Sequence, residues 1–393
     1  MKHHAGLIGL LGLAFTIFAY AMFQGGFVSW FLLYATLPFL AFAFIIYFYP
    51  VRKMTAIRTF TEGELTRGQK LDVEIHIKRS DWWPLYYMKV TDQPPFPEET
   101  PKSRVVFIGF RRDVVLNYSI DKLPRGAYEF NALELELVDL LGWLRKQWTI
   151  STPQQVVVYP RITELSYTPI ASNYDQGAAR ARYQMHKENA VATGVREYQP
   201  GDRVSWIHWK SFAKSQTLRT KDFEDRQAQD TLVYLDLTES KSFDDAVDFT
   251  ISVVQAMASS DTTGAFILPG TRGMFLPAIT HQGHVERVKR ELATVEPLEE
   301  KWMKRLVAED KRLGTFKGII CITAELDKGR VEAMTHVTPQ LREGLYFVVK
   351  TEASPKLTAA ELPVIDYAQA RGWSVVVLPP SQFTEAFLEV LKR

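Results

Sequence analysis

Two stretches of this sequence hold residue types that could do chemistry. The first is Asp236-Leu237-Thr238-Glu239-Ser240, directly after the apolar run at 231–235. A carboxylate and two hydroxyls at the end of a strand are hard oxygen donors of the kind that hold Mg²⁺. Without a metal, Asp236 would cap the following helix or accept backbone amides. The second stretch is 194–214. There Arg196, Glu197, Tyr198, Pro200, Gly201 and Asp202 precede Trp206, Ile207, His208, Trp209, Lys210 and Lys214. Gln199-Pro200-Gly201-Asp202 reads as a turn. Arg196 and Lys210 could bind a phosphate or an acidic partner. The other reading is a structural clasp, with Trp206, Ile207 and Trp209 buried and Arg196 or Lys210 paired to Glu197 or Asp202.

Lesser candidates are His281-x-x-His284, two ligands in a loop, and Cys321. Cys321 is the only cysteine, inside an apolar run at 318–323, and reads as a small buried hydrophobe. No G-x-S-x-G, H-E-x-x-H, Walker A or G-x-G-x-x-G pattern occurs. Lys+Arg is 47 against Asp+Glu 45, a net charge of +2, which argues against a polybasic nucleic-acid binder.

The elements that must position these residues fall into three zones. No charged residue occurs between Lys2 and Arg52. Residues 5–23 and 27–49, separated by Gln24-Gly25-Gly26, read as two membrane spans, with Pro38 kinking the second. Lys2 on one flank and Arg52, Lys53 and Arg58 on the other put both termini on the cytoplasmic side of a cell membrane. Ala5, Gly9, Gly12 and Thr16 form a small face for contact with the second span or with another copy. From 52 to 162 the period is two, as in Leu71-Asp72-Val73-Glu74-Ile75-His76-Ile77-Lys78, which predicts an antiparallel β-sandwich-like domain. Residues 163–230 are a linker that carries the 194–214 segment. From 231 to 393, strands at 231–236, 264–268, 318–323, 345–349 and 373–378 alternate with helices at 243–259, 283–313, 357–371 and 381–392. That alternation predicts a doubly wound α/β domain.

The segment at 194–214 resembles the signature of the domain of unknown function 58 family, R-E-Y-x-P-G-D followed by I-x-W-K-x-S/T-A-[RK]. Ser205 stands where that family has arginine. Arg125-Gly126-Ala127-Tyr128 and Asp139-Leu140-Leu141-Gly142 are similar to its R-G-x-Y and D-P-[LF]-G patterns, with Leu140 in place of proline. The resemblance implies a membrane hairpin, a β domain and a von Willebrand factor A-like domain, often encoded beside a MoxR-type AAA+ ATPase. The stretch Asp236, Thr238, Ser240 is similar to the D-x-S-x-S opening of a metal-ion-dependent adhesion site, with Thr238 replacing the first serine. Ala324 stands where an aspartate would be expected, and Asp261, Thr262 and Thr263 lie near the second strand. Metal and no metal both remain open.

The expected function is a membrane-tethered cytoplasmic protein-interaction or scaffold module. It would work with a MoxR-type AAA+ ATPase in assembly or maturation of an envelope complex. The partners are then the lipid bilayer, a protein and, through the membrane helices, a second copy, with no nucleic acid. The alternative is a metal-dependent enzyme at the cytoplasmic membrane surface, with Asp236 and His208 in its site.

Overall fold

The computed structural model describes residues 2–50, 53–60, 63–139, 142, 144–167, 192–198, 207–215, 217–223, 231–260, 264–270, 273–341, 343–352 and 356–391. The chain divides into two compact units, Met1–Tyr159 and Pro160–Arg393.

The first unit opens with α1 (Lys2–Gln24) and α2 (Phe27–Phe48), the latter running through Pro38. Phe27–Phe48 is long and apolar enough to cross a membrane, and Ile8–Gln24 is a shorter apolar helix. A Cβ on Gly9 or Gly12 would meet open space, so α1 does not pack on α2 through these two glycines.

Eight strands follow: β1 (Met54–Phe60), β2 (Leu65–Thr66), β3 (Leu71–Arg79), β4 (Leu85–Asp92), β5 (Lys102–Gly109), β6 (Asp113–Ile120), β7 (Gly126–Val138) and β8 (Arg145–Tyr159). They form a three-stranded sheet, β1-β3-β6, and a five-stranded one, β2-β8-β7-β4-β5. The inward residues of β3 (Leu71, Val73, Ile75, Ile77) share one core with Met88, Val90, Leu133 and Leu135 of the other sheet. Period-two alternation produces this directly, because successive side chains point to opposite faces. The R-G-x-Y motif is structural here. Tyr128 folds back so that its Oη donates to the Arg125 carbonyl, 2.9 Å. Gly126 beneath it takes φ +151°, and a Cβ there would meet the Tyr128 ring at 2.9 Å.

The second unit holds a ribbon of β9 (Ala192–Glu197) and β10 (Arg219–Phe223) with the short helix α3 (Trp209–Ser215) between them. Its main sheet contains β11 (Thr231–Leu235), β12 (Gly264–Leu268), β13 (Met274–Ile279), β14 (Gly318–Thr323), β15 (Glu343–Val349) and β16 (Trp373–Leu378). The spatial order is β13-β12-β11-β14-β15-β16, parallel except for β13. Helices α4 (Phe243–Ala258), α5 (Gln282–Thr294), α6 (Glu300–Glu309), α7 (Lys328–Val337), α8 (Leu362–Gln369) and α9 (Ala386–Leu391) connect or flank the strands. The expected helix at 283–313 is broken at residues 295–299, where Pro297 cannot continue it. Strand β13, not anticipated, carries Pro277, which an edge strand tolerates.

Candidate functional site

The order of the main sheet reverses between β11 and β14. At such a switch point the flanking loops diverge and leave a crevice beyond the carboxyl ends of the strands. Asp236 follows β11 and Thr323 ends β14, so register brings both to that crevice. Asp236 is buried, at 4% exposure. Its Oδ1 accepts from the Thr238 amide at 3.0 Å and from the Thr238 hydroxyl at 2.7 Å. Its Oδ2 lies 2.9 Å from the Thr323 hydroxyl and 3.1 Å from Arg330 Nε. Arg330 projects from the first turn of α7 and is itself buried; it also donates to the Glu325 carbonyl at 2.7 Å. Thus Asp236 and Thr238 lie together, with a guanidinium beside them. Ser240 stands further out, its hydroxyl 3.3 Å from Glu325 Oε1. Asp261, Thr262 and Thr263 lie outside the described residues.

A second buried pair braces the same loop. Lys350 Nζ lies 2.7 Å from Glu361 Oε1 and donates to the Ala324 carbonyl at 3.1 Å. Glu361 also accepts from the Leu326 amide and from the amide and hydroxyl of Thr358. Burial alone would raise the Glu361 pKa, but Lys350 and these donors outweigh it and hold the carboxyl below its usual value. The loop at 324–327 is therefore gripped by Arg330 on one side and by Lys350 and Glu361 on the other, leaving Glu325 exposed. Underneath, Cys321 is buried as expected. Burial first, then the Asp236 charge, pushes its thiol well above the usual value, the reverse of a reactive thiolate.

The signature segment is differently built. His208 donates its amide to the Arg219 carbonyl at 2.8 Å, and Ile207 bridges Thr220, which ties the start of α3 to β10. The His208 imidazole accepts from the Ser211 amide at 3.1 Å, so it caps α3. Arg196 and Glu197 lie opposite Thr220 and Arg219 in the ribbon. Ile207 is buried, but Trp209 is 58% exposed and meets Phe212 edge-on at 6.2 Å. Lys210 is exposed as well. The clasp reading is corrected at Trp209: it follows the cap directly and lies outward on a seven-residue helix, so it cannot be a core anchor. Lys214 lies on the same helix, and the Tyr198 amide joins the Leu218 carbonyl. Pro200, Gly201, Asp202 and Trp206 lie outside the described residues.

The two histidines expected in a loop instead sit at the start of α5, His281 as its N-cap and His284 in its first turn. Their rings lie 3.8 Å apart between centroids, tilted by 33°, and each uses Nδ1 to accept a backbone amide, His281 from Gly283 and His284 from Thr280. Burial, with His281 and Arg287 alongside, lowers the His284 pKa. These rings serve the start of α5. Sequence reasoning missed Arg330, Lys350 and Glu361, because no local pattern marks a charged residue that will be buried by tertiary contacts.

An apolar helix pair, a two-sheet β module and an α/β sheet with a braced switch-point loop define a multidomain class. A model of the family described as Protein of unknown function DUF58 matches residues 194–315, starting on the first glycine of the signature. Uncharacterized protein YeaD of Bacillus subtilis is 31% identical over 293 residues, covering 73% of this chain and 74% of that protein. The chain belongs to the DUF58 family. Among solved structures, a CARDB domain of Pyrococcus furiosus matches 27% of this chain and 91% of its own at 16% identity, with a TM-score of 0.21. The bacterial hydrophobin BslA matches 27% and 95% at 15% identity, with a TM-score of 0.20. Scores this low carry no argument about the fold.

Proposed function

We propose that this protein is a membrane-tethered cytoplasmic module that captures a protein partner, a MoxR-type AAA+ ATPase, during assembly or maturation of an envelope complex. The observation that carries this reading is the Trp209–Phe212 pair. Two large exposed aromatics on a capped helix are the composition of an interface centre rather than of a core, and Lys210 beside them would lie at its polar rim. Two spans with cytoplasmic termini agree with the uncharged stretch at 3–51 and its basic flanks. The open small face of α1 supports pairing with a second copy.

The strand order of the second unit supports the von Willebrand factor A-like reading. The donors around Asp236 support a version of that site which works without a divalent ion. Mg²⁺ demands several oxygen ligands with free lone pairs, whereas both Asp236 oxygens are engaged and a buried guanidinium already supplies the positive charge.

The test is crosslinking and affinity purification of the intact protein from membranes, with and without Mg²⁺, comparing the parent with Trp209→Ala/Lys210→Ala. The expected result is loss of the ATPase from the double variant and no Mg²⁺ dependence in the parent. Undiminished capture by the double variant would reject the signature segment as the docking site.

A further inference from the structure

Three loops of the β module converge on the end of the helix pair. Leu144, after the β7–β8 turn, packs among Leu10, Leu40 and Ala43. The β3–β4 turn brings Asp81 to Tyr49, whose hydroxyl donates to Asp81 Oδ2 at 2.6 Å. Buried Arg79 then gathers two turns at once, donating to the Trp83 carbonyl and to the Gly109 and Arg111 carbonyls at 3.0 and 2.6 Å. Lys146 of β8 closes the end of α2 by donating to the Tyr47 and Tyr49 carbonyls at 3.0 and 2.7 Å. Burial lowers its pKa.

What these turns present outward is apolar and basic. Trp82 is 66% exposed, Trp83 44% and Phe110 69%, and Arg111, Arg112 and Lys53 are exposed around them. The contacts also reach back along α2. Trp83 shares a crevice of ≈ 380 Å³ with Phe44, Phe48 and Lys53, and Tyr86 meets the Phe42 ring edge-on at 6.2 Å. From Phe42 to Tyr49 is about 10 Å of helix at 1.5 Å per residue. The polar zone of a bilayer is only about 5–8 Å deep on each side of the hydrocarbon. If α2 is immersed along its apolar length, Trp83 and Tyr86 are carried into the interface with it.

We propose that this face of the β module is seated in the headgroup region of an anionic leaflet. Trp82, Trp83 and Phe110 would enter the interface, and Arg111, Arg112 and Lys53 would meet lipid phosphates. Indole rings favour that zone, and basic residues beside it are attracted to anionic lipid. The inference rests on the reading of α2 as a membrane span, and it goes beyond it by giving the soluble module its own lipid contact. It also fixes the orientation of the β module against the bilayer, since Arg79, Asp81 and Lys146 tie the turns to the helix end.

The test is spin-label accessibility on the full chain in phosphatidylcholine/phosphatidylglycerol vesicles. Single labels are placed through Leu37→Cys, Trp82→Cys and Phe110→Cys, all exposed positions, while buried Cys321 serves as the unlabelled background. Collisions with oxygen and with a water-soluble nickel chelate are compared. Leu37 should read as lipid, and positions 82 and 110 as interfacial, with at least about threefold less nickel access than a free aqueous site, as the headgroup zone excludes the chelate. Full nickel access at 82 and 110 while Leu37 reads as lipid overturns the seating and leaves the span standing. Protection from both reagents at 82 and 110 means a protein covers them, which also overturns it. Nickel access at Leu37 rejects the span and the seating together.

Discussion

Each unit of this chain buries an arginine against an aspartate, and the two pairs do different work. In the β module, Arg58 meets Asp92 with two bonds, Nε to Oδ2 at 3.0 Å and Nη2 to Oδ1 at 2.7 Å. Its third donor reaches the Thr152 carbonyl at 3.0 Å, its face lies 4.8 Å from the Phe130 centroid, and Tyr118 donates to Asp92 at 2.6 Å. Burial, together with Asp92, raises the Tyr118 pKa, so the phenol stays a donor. The residues come from both sheets, and the pair rivets them together. Arg58, read from sequence as a flanking membrane charge, is thereby removed from solvent. Arg330 instead meets Asp236 through Nε alone, beyond the carboxyl ends of β11 and β14, with two threonine hydroxyls completing the carboxylate. A pair closed on all sides holds a core. A pair that also grips a loop carbonyl holds a surface in shape.

This contrast can be broken or sharpened by substitution, beginning with the rivet. Arg58→Met leaves Asp92 charged and without its partner in the core. It should cost the β unit about 3–5 kcal/mol, read as a fall in the denaturant midpoint of that unit. A loss no larger than that of Arg330→Met would put the two pairs in one class. Arg330→Met should cost less, about 2–3 kcal/mol, because the hydroxyls and the Thr238 amide still serve Asp236. It should also make the second unit respond to Mg²⁺. A midpoint that rises with millimolar Mg²⁺ in the variant and not in the parent supports Arg330 as the built-in cation. A parent that responds equally refutes it.

Acid should discriminate within the second unit. The folded pKa of Glu361 lies below its ordinary 4.5, so its pairing with Lys350 stabilises at neutral pH and is lost as pH falls through the carboxylate range. Asp327, which caps α7, is also lowered. Burial opposes that shift, but the Arg330 amide and Lys304 exceed it. Thermal unfolding of the second unit should be level between pH 7 and 5 and then decline. In Glu361→Gln the decline should be shallower. The smallest stability effect is expected from Trp209→Ala, under about 0.5 kcal/mol, as for ordinary surface changes. A loss of several kcal/mol there would restore the clasp.

Much of the architecture was legible: the apolar helix pair from residues 3–51, the β module from the alternation of 71–78 and the α/β sheet from the apolar runs at 231–235 and 318–323, because helix hydropathy, period two and two-sided burial are local properties of the chain. The family was legible as well, from twenty residues of motif. What the sequence could not show followed from burial of charge. Strand β1 shows no clean apolar alternation, because Arg58 sits where an apolar residue would complete it, and only Asp92, thirty-four residues away, makes that position tolerable. The sequence placed Asp236 and Thr238 after a strand by themselves. It was the neighbouring of β11 and β14 that brought Thr323 and Arg330 to them, and strand order is a property of packing between distant segments, not of any window along the chain. Trp209 shows the same division: its type and spacing are those of an anchor, and its exposure was decided by a cap on His208 and by the ribbon that holds it.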